Sequence, residues 1–579
     1  MIDYTIGILR NRLKLEEVDQ EENRFLVKAA LIIAAVGMLL RIVFWIYTQR
    51  YWEDALITCL HSENMARGLG LTHVRPGEPP LHGFTSPLSV LVPLIGDLIK
   101  VGFGVEFLKL VSIPASALTV FYMLGICIHK QVKLSAPLAI IAMGFVAVEH
   151  HQMLWGMAGM ETQLAVLILV MSVYYTMTLN VVPLGISLGL CMLARPDYAF
   201  WTIIVGIYVL ARQPKSFLKV VGVAVAVYLP WIIFTTAYYG SPLPNTIMAK
   251  GLGYTKWWEK VEVVDFFAIK RHTWLILSEQ LHVHLGPMFA GHGASLHLFF
   301  TNGPESPIAN LMFFFAVVGT LVIAFKRQWV LWPLVAVVVV YSVYYIYLVP
   351  VIFGWYKMPY IATLLVLCLR GIQSITSWIR SQSWRTRLET GYAVVYLGLF
   401  ISVLPISFYT ERMIQHYIEN DVRKEAGLYI KEHIQPDEAV GCEPLGYMGY
   451  YSGANIYDWP GLASRTVVAW SEQQPPERRS LENMCKDLQP EYLFFRDMEV
   501  LYHFKSNDWI KENYHVVKVF QVDPDKADKI PWLDRNVDTV FRIYKKNSPD
   551  DELPYDADLF PTKPGEPVTD LPATWSHST

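Results

Sequence analysis

The stretch "FLVKAALIIAAVGMLLRIVFWIYTQRYWEDALIT", residues 25–58, places two adjacent acids just after a long apolar run. The apolar part is long enough to cross a bilayer as one helix. It is too long for a signal-peptide core and no small-residue cleavage site follows it, so we expect it to remain as a membrane anchor. Glu53 and Asp54 would then lie close to the membrane surface. The first question is which role two charged residues have at this position.

Apolar character extends over most of the chain. Of the 579 residues, 53% are hydrophobic and only 17% are charged, and stretches of membrane-spanning length recur over about the first 410 residues. The sequence therefore predicts a polytopic α-helical membrane protein. The net charge of −3 gives no basic footprint for nucleic acid, so a nucleic-acid partner is not expected.

Eleven transmembrane helices are predicted, with basic loops between them. The apolar runs are 26–48, 107–128, 134–149, 161–179, 182–194, 197–211, 217–239, 307–325, 329–349, 355–371 and 390–409. The N-terminus and the loops "HKQVK", "ARQPKSFLK", "FKRQ" and "RGIQSITSWIRSQSWRTR" then fall on one side, which the positive-inside rule identifies as cytoplasmic. An odd number of spans places residues 410–579 outside.

Two long loops are predicted on the outer side, at 49–106 and 240–306. The apolar stretch "PLSVLVPLIGDLIKVGF" in the first loop would move the following basic loops to the wrong face if it crossed the membrane. We therefore expect it to form a partly embedded helix at the outer surface. Residues 1–409 are the predicted transmembrane module, and a site outside the membrane must be built from these two loops.

The C-terminal region is predicted to be an extracytoplasmic α/β domain over residues 410–546. Its first part has helical periodicity, and "AVGCE", "EYLFFRD", "YHVVKVFQV" and "TVFRIYKK" have the pattern of short strands. Cys442 and Cys485 in this region could form a disulfide if the domain faces an oxidising compartment. Residues 547–579 are acidic and rich in proline, which predicts a disordered tail.

The acid pair has two compatible interpretations. Glu53 and Asp54 precede "ALITCLHSENMARGLG", which has the pattern of a helix that ends at a glycine. Acids in the first turn stabilise a helix by accepting from free backbone N–H groups, so the pair could be a helix cap. A carboxylate fixed at the membrane surface could also act as a general base towards a hydroxyl.

Other charged residues near the span ends are candidates for a site, because such groups are costly in lipid and often functional. Arg195 and Asp197 in "LARPDYAF" could act on a substrate or pair with each other. Lys250 could bind a phosphate or lie at the interface as an ordinary lysine. Glu161 could cap a helix or form a wall of the site.

The remaining polar candidates lie beside aromatic residues or in the second loop. "FGWYKMPY" places Tyr356 and Lys357 at the outer rim, where an aromatic belt would also explain the rings. The second loop carries a histidine cluster with "HVH" at its centre, which could supply two metal ligands, but no companion Cys or acid pattern supports a metal site. A divalent cation stays open as a cofactor, and no nucleotide-binding motif is present.

Five motifs resemble those of one enzyme superfamily. "WEDALITCLHSENMARGLGLTHVRPGEPPLHGFTSPL" is similar to the first external loop of GT-C glycosyltransferases, in particular the terminal arabinofuranosyltransferases of actinobacterial walls. "GMETQLAVLIL", "ARPDYAF", "PLPNTIMAK" and "LGYMGYYSGANIYDWPGLAS" follow in the order of that family, up to about residue 465. The chain departs from the family in having Glu-Asp where Asp-Asp or Asp-Glu is usual, and Ala158 in place of Ser.

The resemblance implies an inverting glycosyltransferase of a bacterial cytoplasmic (inner) membrane. The donor would be a polyprenyl-phosphate sugar, and the acceptor a hydroxyl of a cell-envelope glycan or glycolipid on the outer face. A phosphate leaves without a strong acid, so one base suffices, in contrast to the two carboxylates of a glycosidase. Asp54 is the predicted base, with Glu53 as its neighbour or substitute. The predicted substrate-binding residues are His82, Glu161, Arg195, Asn245, Lys250, Tyr356 and Lys357, of which Lys250, Lys357 and His82 would bind the donor phosphate.

A polytopic transporter or lipid-linked-saccharide flippase is the alternative function. It would account for the many spans and for the charges within them. No internal repeat is visible in the sequence, and many transporter folds are built from repeats. The sequence therefore favours the glycosyltransferase.

Overall fold

The computed structural model describes residues 2–15, 17, 18, 20–74, 78–254, 259, 263–277, 285, 307–349, 352–504, 508–531, 533, 539–548 and 559–563. In these ranges the chain is mostly helical up to residue 433, and an α/β unit with a five-stranded sheet follows. The helices are α1 (Ile2–Asn11), α2 (Arg24–Thr48), α3 (Glu53–Ala66), α4 (Leu88–Ile99), α5 (Gly104–Ile128), α6 (Ala136–Val148), α7 (His150–Met157), α8 (Thr162–Thr178), α9 (Val181–Ala194), α10 (Tyr198–Arg212), α11 (Pro214–Tyr239), α12 (Asn245–Gly253), α13 (Phe266–Leu275), α14 (Pro307–Phe325), α15 (Trp332–Val343), α16 (Gly354–Thr376), α17 (Gln382–Met413), α18 (Glu425–His433), α19 (Leu445–Ser452), α20 (Arg465–Gln473), α21 (Leu481–Leu488), α22 (Asp508–Asn513) and α23 (Pro524–Ala527).

Seven helical segments in the described part of the chain are long and apolar enough to cross a membrane. They are Glu21–Thr48, Gly104–Ile128, Ala136–Met157, Pro214–Tyr239, Trp329–Leu348, Gly354–Thr376 and Gln382–His433. The other four predicted spans coincide with shorter apolar helices, α8, α9, α10 and α14. The chain is thus a helical integral membrane protein, and the count of eleven crossings stays a prediction.

The apolar stretch assigned to the outer surface forms α4. This helix has only 12 residues and exposes the apolar side chains of Ile95, Leu98 and Ile99. Its one acid, Asp97, is buried and accepts hydrogen bonds from Ser62 Oγ at 2.6 Å and from the backbone N–H of Gly104 at 2.8 Å. These bonds fix α4 against α3 and the start of α5, at the end of the bundle that carries the acid pair.

One continuous helix connects the membrane part to the sheet. It runs over 52 residues from Gln382 to His433, through α17, a π-helical segment at Ile414–Lys424, and α18. The predicted boundary at 409/410 falls inside it, because polar residues enter the sequence there without any helix-breaking residue. The C-terminal unit is therefore attached through rigid helix rather than through a loop.

The sheet of the C-terminal unit has the order β2-β1-β3-β5-β4. Its strands are β1 (Ala439–Cys442), β2 (Asn455–Asp458), β3 (Tyr492–Arg496), β4 (Tyr514–Gln521) and β5 (Val540–Lys546). Strand β1 pairs in parallel with β2 and β3, whereas β5 pairs antiparallel with β3 and β4. The four predicted strand segments coincide with β1, β3, β4 and β5.

Apolar side chains cover both faces of this sheet. Val440 and Phe494 belong to one buried cluster, and Leu493 and Phe495 belong to the other. Cys442 lies in the first cluster and Cys485 in the second, so the sheet separates the two thiols, and all six cysteines of the chain are free. The disulfide that the sequence left open is absent.

The predicted disordered tail lies mainly outside the described residues, at 549–558 and 564–579. In its described part, Leu559 and Phe560 are buried in the second cluster of the sheet. The Nε of Arg542 donates a hydrogen bond to the carbonyl of Leu559 at 2.6 Å. Residues 559–563 therefore pack against the sheet, because two apolar side chains interrupt the otherwise polar tail.

Candidate active site

A cavity of about 330 Å³ lies where the first of the two long predicted loops meets α12 and the start of α16. Five of the nine predicted site residues line it, although they come from distant parts of the sequence: Asp54, Glu161, Arg195, Lys250 and Tyr356. The other four, Glu53, His82, Asn245 and Lys357, do not line it. One concave site therefore collects the matches to "WEDA", "GMET", "ARPD" and "PNTIMAK".

Asp54 is the second residue of α3 and faces this cavity. Its carboxylate has no hydrogen-bond or ion-pair partner among the residues that the structure describes. Trp52 precedes the helix in an extended conformation, with no side-chain cap. Burial raises the pKa of Asp54 to about 6, against the attraction of Lys250, and the charges of Glu53 and Glu161 raise it further. Asp54 is therefore a carboxylate without a structural partner that exchanges a proton near neutral pH.

Glu53 points away from the cavity, towards the C-terminal unit. Its Oε2 lies 2.8 Å from Nη1 of Arg423, and its Oε1 accepts the backbone N–H of Gly446 at 3.1 Å. Arg423 lies near the end of the π-helical segment of the long helix, and Gly446 belongs to α19. The two consecutive acids thus have different surroundings, and Glu53 connects α3 to the C-terminal unit.

The interaction of Glu53 continues a buried row of charges. Glu419 Oε2 lies 3.4 Å from Arg423, and Glu419 Oε1 lies 2.9 Å from Nη1 of Arg50. The Nε of Arg50 also pairs with Glu411 at 2.9 Å. Opposite charges alternate along this row, as buried ions require. The row joins the long helix to the segment that leads from α2 into α3.

Lys250 faces the same cavity from α12. Its Nζ donates a hydrogen bond to Oη of Tyr356 at 2.9 Å and lies 5.4 Å from the ring centre of Phe353. Burial would lower the pKa of Lys250, but the attraction of Tyr356 and Asp54 outweighs it and raises the pKa above its ordinary value. Lys250 therefore remains an ammonium ion in the cavity, close enough to Asp54 to influence its titration.

Contacts with the C-terminal unit fix the start of α12. The side-chain amide of Asn245 donates to the carbonyls of Gly461 at 2.7 Å and Leu462 at 3.3 Å, and its backbone N–H donates to the carbonyl of His82 at 3.0 Å. The turn at 461–463 is in turn held by the carboxylate of Asp458, which accepts three of its backbone N–H groups. Asn245 thus holds the helix that carries Lys250.

Arg195 and Asp197 form an ion pair with each other, which is one of the two alternatives that the sequence allowed. The Nε of Arg195 lies 3.0 Å from Oδ1 of Asp197, on either side of the break that Pro196 makes between α9 and α10. The guanidinium also lies 4.5 Å from the ring centre of Tyr356, and Asp197 accepts the hydroxyl of Tyr345 at 3.0 Å. Both charges line the cavity and are held in place by each other.

His82 and Lys357 lie outside the lining. The ring of His82 stacks on Tyr239 at 4.7 Å between centroids and packs beside Phe84. Burial lowers the pKa of His82 to about 4, so its imidazole is neutral near pH 7. A neutral ring of this kind offers no charge to a phosphate. Lys357 is buried in α16, next to Tyr356.

Two groups of lining residues were not among the predicted site residues. One group carries hydroxyl side chains, namely Thr58, Thr85, Ser86, Ser89 and Thr246, and the other carries aromatic rings, namely Tyr254, Tyr344, Tyr345, Phe353 and Trp355. The hydroxyls of Thr85 and Thr246 are 3.0 Å apart and connect the first loop to α12. Thr85 and Ser86 belong to the "GFTSP" motif, so the sequence carried a signal for them.

Among the described residues, no group of three or more His, Cys, Asp or Glu side chains is arranged to hold a metal ion. Of the histidines of the second loop, His272 donates a hydrogen bond from Nε2 to the carbonyl of Ile346 at 2.7 Å. The other four histidines of that cluster, His282, His284, His292 and His297, lie outside the described residues, so the "HVH" hypothesis stays a prediction.

Comparison with known proteins gives one family match and several structural neighbours. A family described as "Domain of unknown function (DUF8728)" matches residues 412–544, which cover the end of the long helix and the sheet. No curated protein matches the sequence. The C-terminal unit is thus similar to a family whose function is described as unknown.

Three structural neighbours are GT-C glycosyltransferases. ArnT from Cupriavidus metallidurans in the apo state is 10% identical, and the match covers 89% of this chain and 97% of ArnT with a TM-score of 0.50. The Archaeoglobus fulgidus oligosaccharyltransferase in complex with Zn and sulfate is 11% identical over 86% of this chain and 72% of its own, with a TM-score of 0.49. The arabinofuranosyltransferase AftD from Mycobacteria is 12% identical over 90% of this chain and 40% of its own, with a TM-score of 0.40. The match with ArnT shows that this chain has the GT-C fold.

Proposed function

We propose that this protein is an inverting membrane glycosyltransferase that transfers a sugar from a polyprenyl-phosphate donor to a hydroxyl group. The observation that carries the proposal is the unpartnered carboxylate of Asp54, which shares one cavity with the ammonium of Lys250 in a chain with the GT-C fold. The carboxylate is suited to remove a proton from an acceptor hydroxyl, and the ammonium is suited to bind a leaving phosphate.

The proposed reaction needs one base. Asp54 accepts the proton of the acceptor hydroxyl while its oxygen attacks the anomeric carbon and the bond to the phosphate breaks. A base is most effective when its pKa lies near the working pH, and the raised pKa of Asp54 meets this condition. Glu53 serves as a positioning residue in this scheme, since its carboxylate is occupied by Arg423.

Lys250 is the proposed phosphate ligand, and Arg195 supports it. The ammonium has further donors besides the one given to Tyr356, and it stays charged. Arg195 lines the same cavity, although Asp197 balances its charge. Positive groups placed where a phosphate leaves stabilise the charge that develops in the transition state.

The side chains that line the cavity suit a sugar. Hydroxyl side chains such as Thr85 and Ser86 exchange hydrogen bonds with sugar hydroxyls, and the rings of Trp355 and Tyr356 offer flat apolar faces to the C–H face of a pyranose or furanose. Glu161 lines the cavity as a further acceptor. We place the site on the outer face of a bacterial inner membrane, with a cell-envelope glycan or glycolipid as acceptor and the α/β unit of residues 410–546 outside.

The test compares the two acids in vesicles that contain the purified protein, a lipid-phosphate-linked radiolabelled sugar and cell-envelope acceptor. Asp54→Asn should insert and fold as the wild type does, yet lose at least about a hundredfold of the transfer rate, which is the lower end for a general base. Glu53→Gln should retain measurable transfer, because it leaves Asp54 in place.

Full transfer activity in both variants would refute the proposal. Loss of activity in Glu53→Gln together with full activity in Asp54→Asn would exchange the roles of the two acids. A flippase would move the labelled lipid across the vesicle membrane without forming a new glycosidic bond, so separating the labelled lipid from the labelled glycan distinguishes the alternative function.

A further inference from the structure

A strongly basic pocket lies at the other end of the helical bundle from Asp54. Its volume is about 550 Å³, and its lining contains five cationic side chains and no carboxylate among the described residues: Lys130, Lys133, Lys326, Arg327 and Arg370, with Gln131, Val132, Gln328 and Gln373. The pocket joins the loop between α5 and α6 to the segment after α14 and to the end of α16. These segments contain the basic loops "HKQVK" and "FKRQ" and the first residues of "RGIQSITSWIRSQSWRTR".

Side-chain amides hold the three segments together. Gln373 Nε2 donates to the carbonyl of Lys133 at 2.9 Å, and Gln328 Nε2 donates to the carbonyl of Gln131 at 3.2 Å. The Nε of Arg370 donates to Oε1 of Gln328 at 3.4 Å. The cations are therefore parts of one framework that crosses three loops, in contrast to independent charges along a flexible surface.

The burial of Arg370 is not explained by a generally positive surface. Its side chain is only 9% exposed, and among the described residues it has no acid within ion-pair distance. A buried charge is costly unless a counter-charge compensates it. Of the pocket cations, Lys133 does pair with an acid, Glu22 at 3.3 Å, but both side chains of that pair are exposed. The pocket thus contains a buried cation that still requires an anion.

The position of the pocket indicates the source of the anion. Tyr356 in the cavity and Arg370 in the pocket are 14 residues apart on α16, which is about 21 Å at 1.5 Å per residue. Trp329, next to the pocket in sequence, is half exposed, and Trp378 just beyond the end of α16 is 81% exposed. Exposed tryptophans concentrate at the headgroup level of a bilayer. The pocket therefore opens at the membrane interface, on the face opposite to the cavity.

We propose that this basic pocket binds the phosphate of an anionic phospholipid headgroup, with Arg370 as its buried ligand and Lys130, Lys326 and Arg327 around the entrance. Basic pockets between transmembrane helices are a recurrent way of binding such headgroups. The size of the pocket leaves room for a glycerol-type headgroup beside the phosphate. The proposal does not depend on the chemistry of Asp54.

The experiment measures lipid retention by the full-length protein. Wild-type protein and variants are reconstituted in vesicles of equal parts phosphatidylglycerol and phosphatidylcholine, extracted in mild detergent and analysed by native mass spectrometry. We expect the wild type to retain phosphatidylglycerol in preference to phosphatidylcholine. In Arg370→Met this preference should fall about fivefold, as expected for the loss of one cation at a headgroup.

Exposed residues provide a second variant and its control. Lys130→Gln/Lys326→Gln/Arg327→Gln changes only exposed side chains, so folding is not at risk, and it should reduce retention at least as much as Arg370→Met. Lys215→Gln/Lys219→Gln/Arg387→Gln removes the same number of exposed charges from other basic segments of the predicted cytoplasmic side and should leave retention unchanged. Equal retention in all variants, or an equal loss in pocket and control variants, would overturn the proposal.

A soluble phosphate compound is the alternative ligand, because it offers the pocket the same anionic group as a lipid headgroup. Thermal unfolding in detergent is therefore measured with short-chain phosphatidylglycerol in one arm and with inorganic pyrophosphate in the other. The lipid should raise the Tm of the wild type and not that of Arg370→Met, and pyrophosphate at the same concentration should have no effect. Stabilisation by pyrophosphate but not by the lipid would overturn the assignment to a membrane lipid.

Discussion

The carboxylate of Glu53 lies 2.8 Å from the guanidinium of Arg423, although 370 residues separate them in the sequence. Arg423 lies on the continuous helix that joins the transmembrane part to the sheet, and Glu53 begins the helix that carries Asp54. This contact connects the C-terminal unit directly to the candidate active site. It also gives the two adjacent acids distinct roles, since the carboxylate of Asp54 is left facing the cavity.

The first prediction concerns this contact. Glu53→Gln and Arg423→Met should each lower the free energy of unfolding by about 1.5–3 kcal/mol, the range for hydrogen bonds to charged groups. Because both substitutions remove the same interaction, the double variant should cost less than the sum of the two. Chemical denaturation in detergent micelles measures the cycle. Strict additivity would show that the contact contributes nothing in solution.

The second prediction concerns the pH dependence of transfer. Asp54 acts as a base only when it is deprotonated, and burial raises its pKa to about 6. The value of kcat/KM should therefore fall about tenfold per pH unit below pH 6 and be constant above it. Glu443 has a pKa raised by burial to about 7 but does not line the cavity, so Glu443→Gln should leave the acid limb unchanged. A pH-independent rate between about pH 5 and 7 would contradict the assignment of Asp54.

The third prediction follows from the same pKa. Because the folded protein holds the proton of Asp54 more tightly than the unfolded chain does, the stabilisation is present below about pH 4 and is lost as the pH rises through about 6. Asp54→Asn should therefore be more stable than the wild type above pH 7, by up to about 3 kcal/mol, and nearly equal to it near pH 4. Thermal unfolding at both pH values measures this. A variant that is less stable at both would indicate the helix-cap role.

The sequence predicted the positions of the apolar helices, because the length of an apolar run is a local property. All eleven predicted spans coincide with helices, and α4 was separated from them by charge alone. Asp54, Glu161, Arg195 and Lys250 lie in the motifs and Tyr356 in "FGWYKMPY", and all five of these predicted site residues line the cavity. These residues could be found because their residue types and flanking sequences are distinctive.

The roles of Glu53 and Asn245 could not be predicted, because they depend on contacts with the C-terminal unit. Each interacts with a residue more than 200 positions further along the chain, Glu53 with Arg423 and Asn245 with Gly461. No local sequence pattern extends over so many residues. The four-residue spacing of Glu419 and Arg423 on a helix was the one available signal, and it indicates a charged stripe without naming its partner.

The fourth prediction concerns Lys250. Lys250→Met should raise the KM for the lipid donor at least about tenfold, the loss expected when a hydrogen bond to a charged group is removed. It should also move the acid limb of the pH profile upward, because the charge of Lys250 lowers the pKa of Asp54. Tyr356→Phe is the matched control: it removes the hydrogen bond to Lys250 and keeps the charge, so the limb should stay in place. An unchanged limb in Lys250→Met would show that the two groups do not interact.

The last prediction separates positioning from binding at Asn245. This residue was predicted to bind substrate, but its amide is used by the carbonyls of Gly461 and Leu462 and does not line the cavity. Asn245→Ala should therefore cost about 1–3 kcal/mol of stability and lower kcat/KM, because α12 then loses its attachment and Lys250 its position. Asp458→Asn weakens the same turn from the other side, since its carboxylate accepts the backbone N–H groups of residues 461–463. Both variants should show the same ratio of KM to kcat effects, measured by initial rates over a range of donor concentrations. If Asn245→Ala raised KM with unchanged stability while Asp458→Asn left KM unaffected, Asn245 would be a direct ligand of the substrate, as the motif alone suggested.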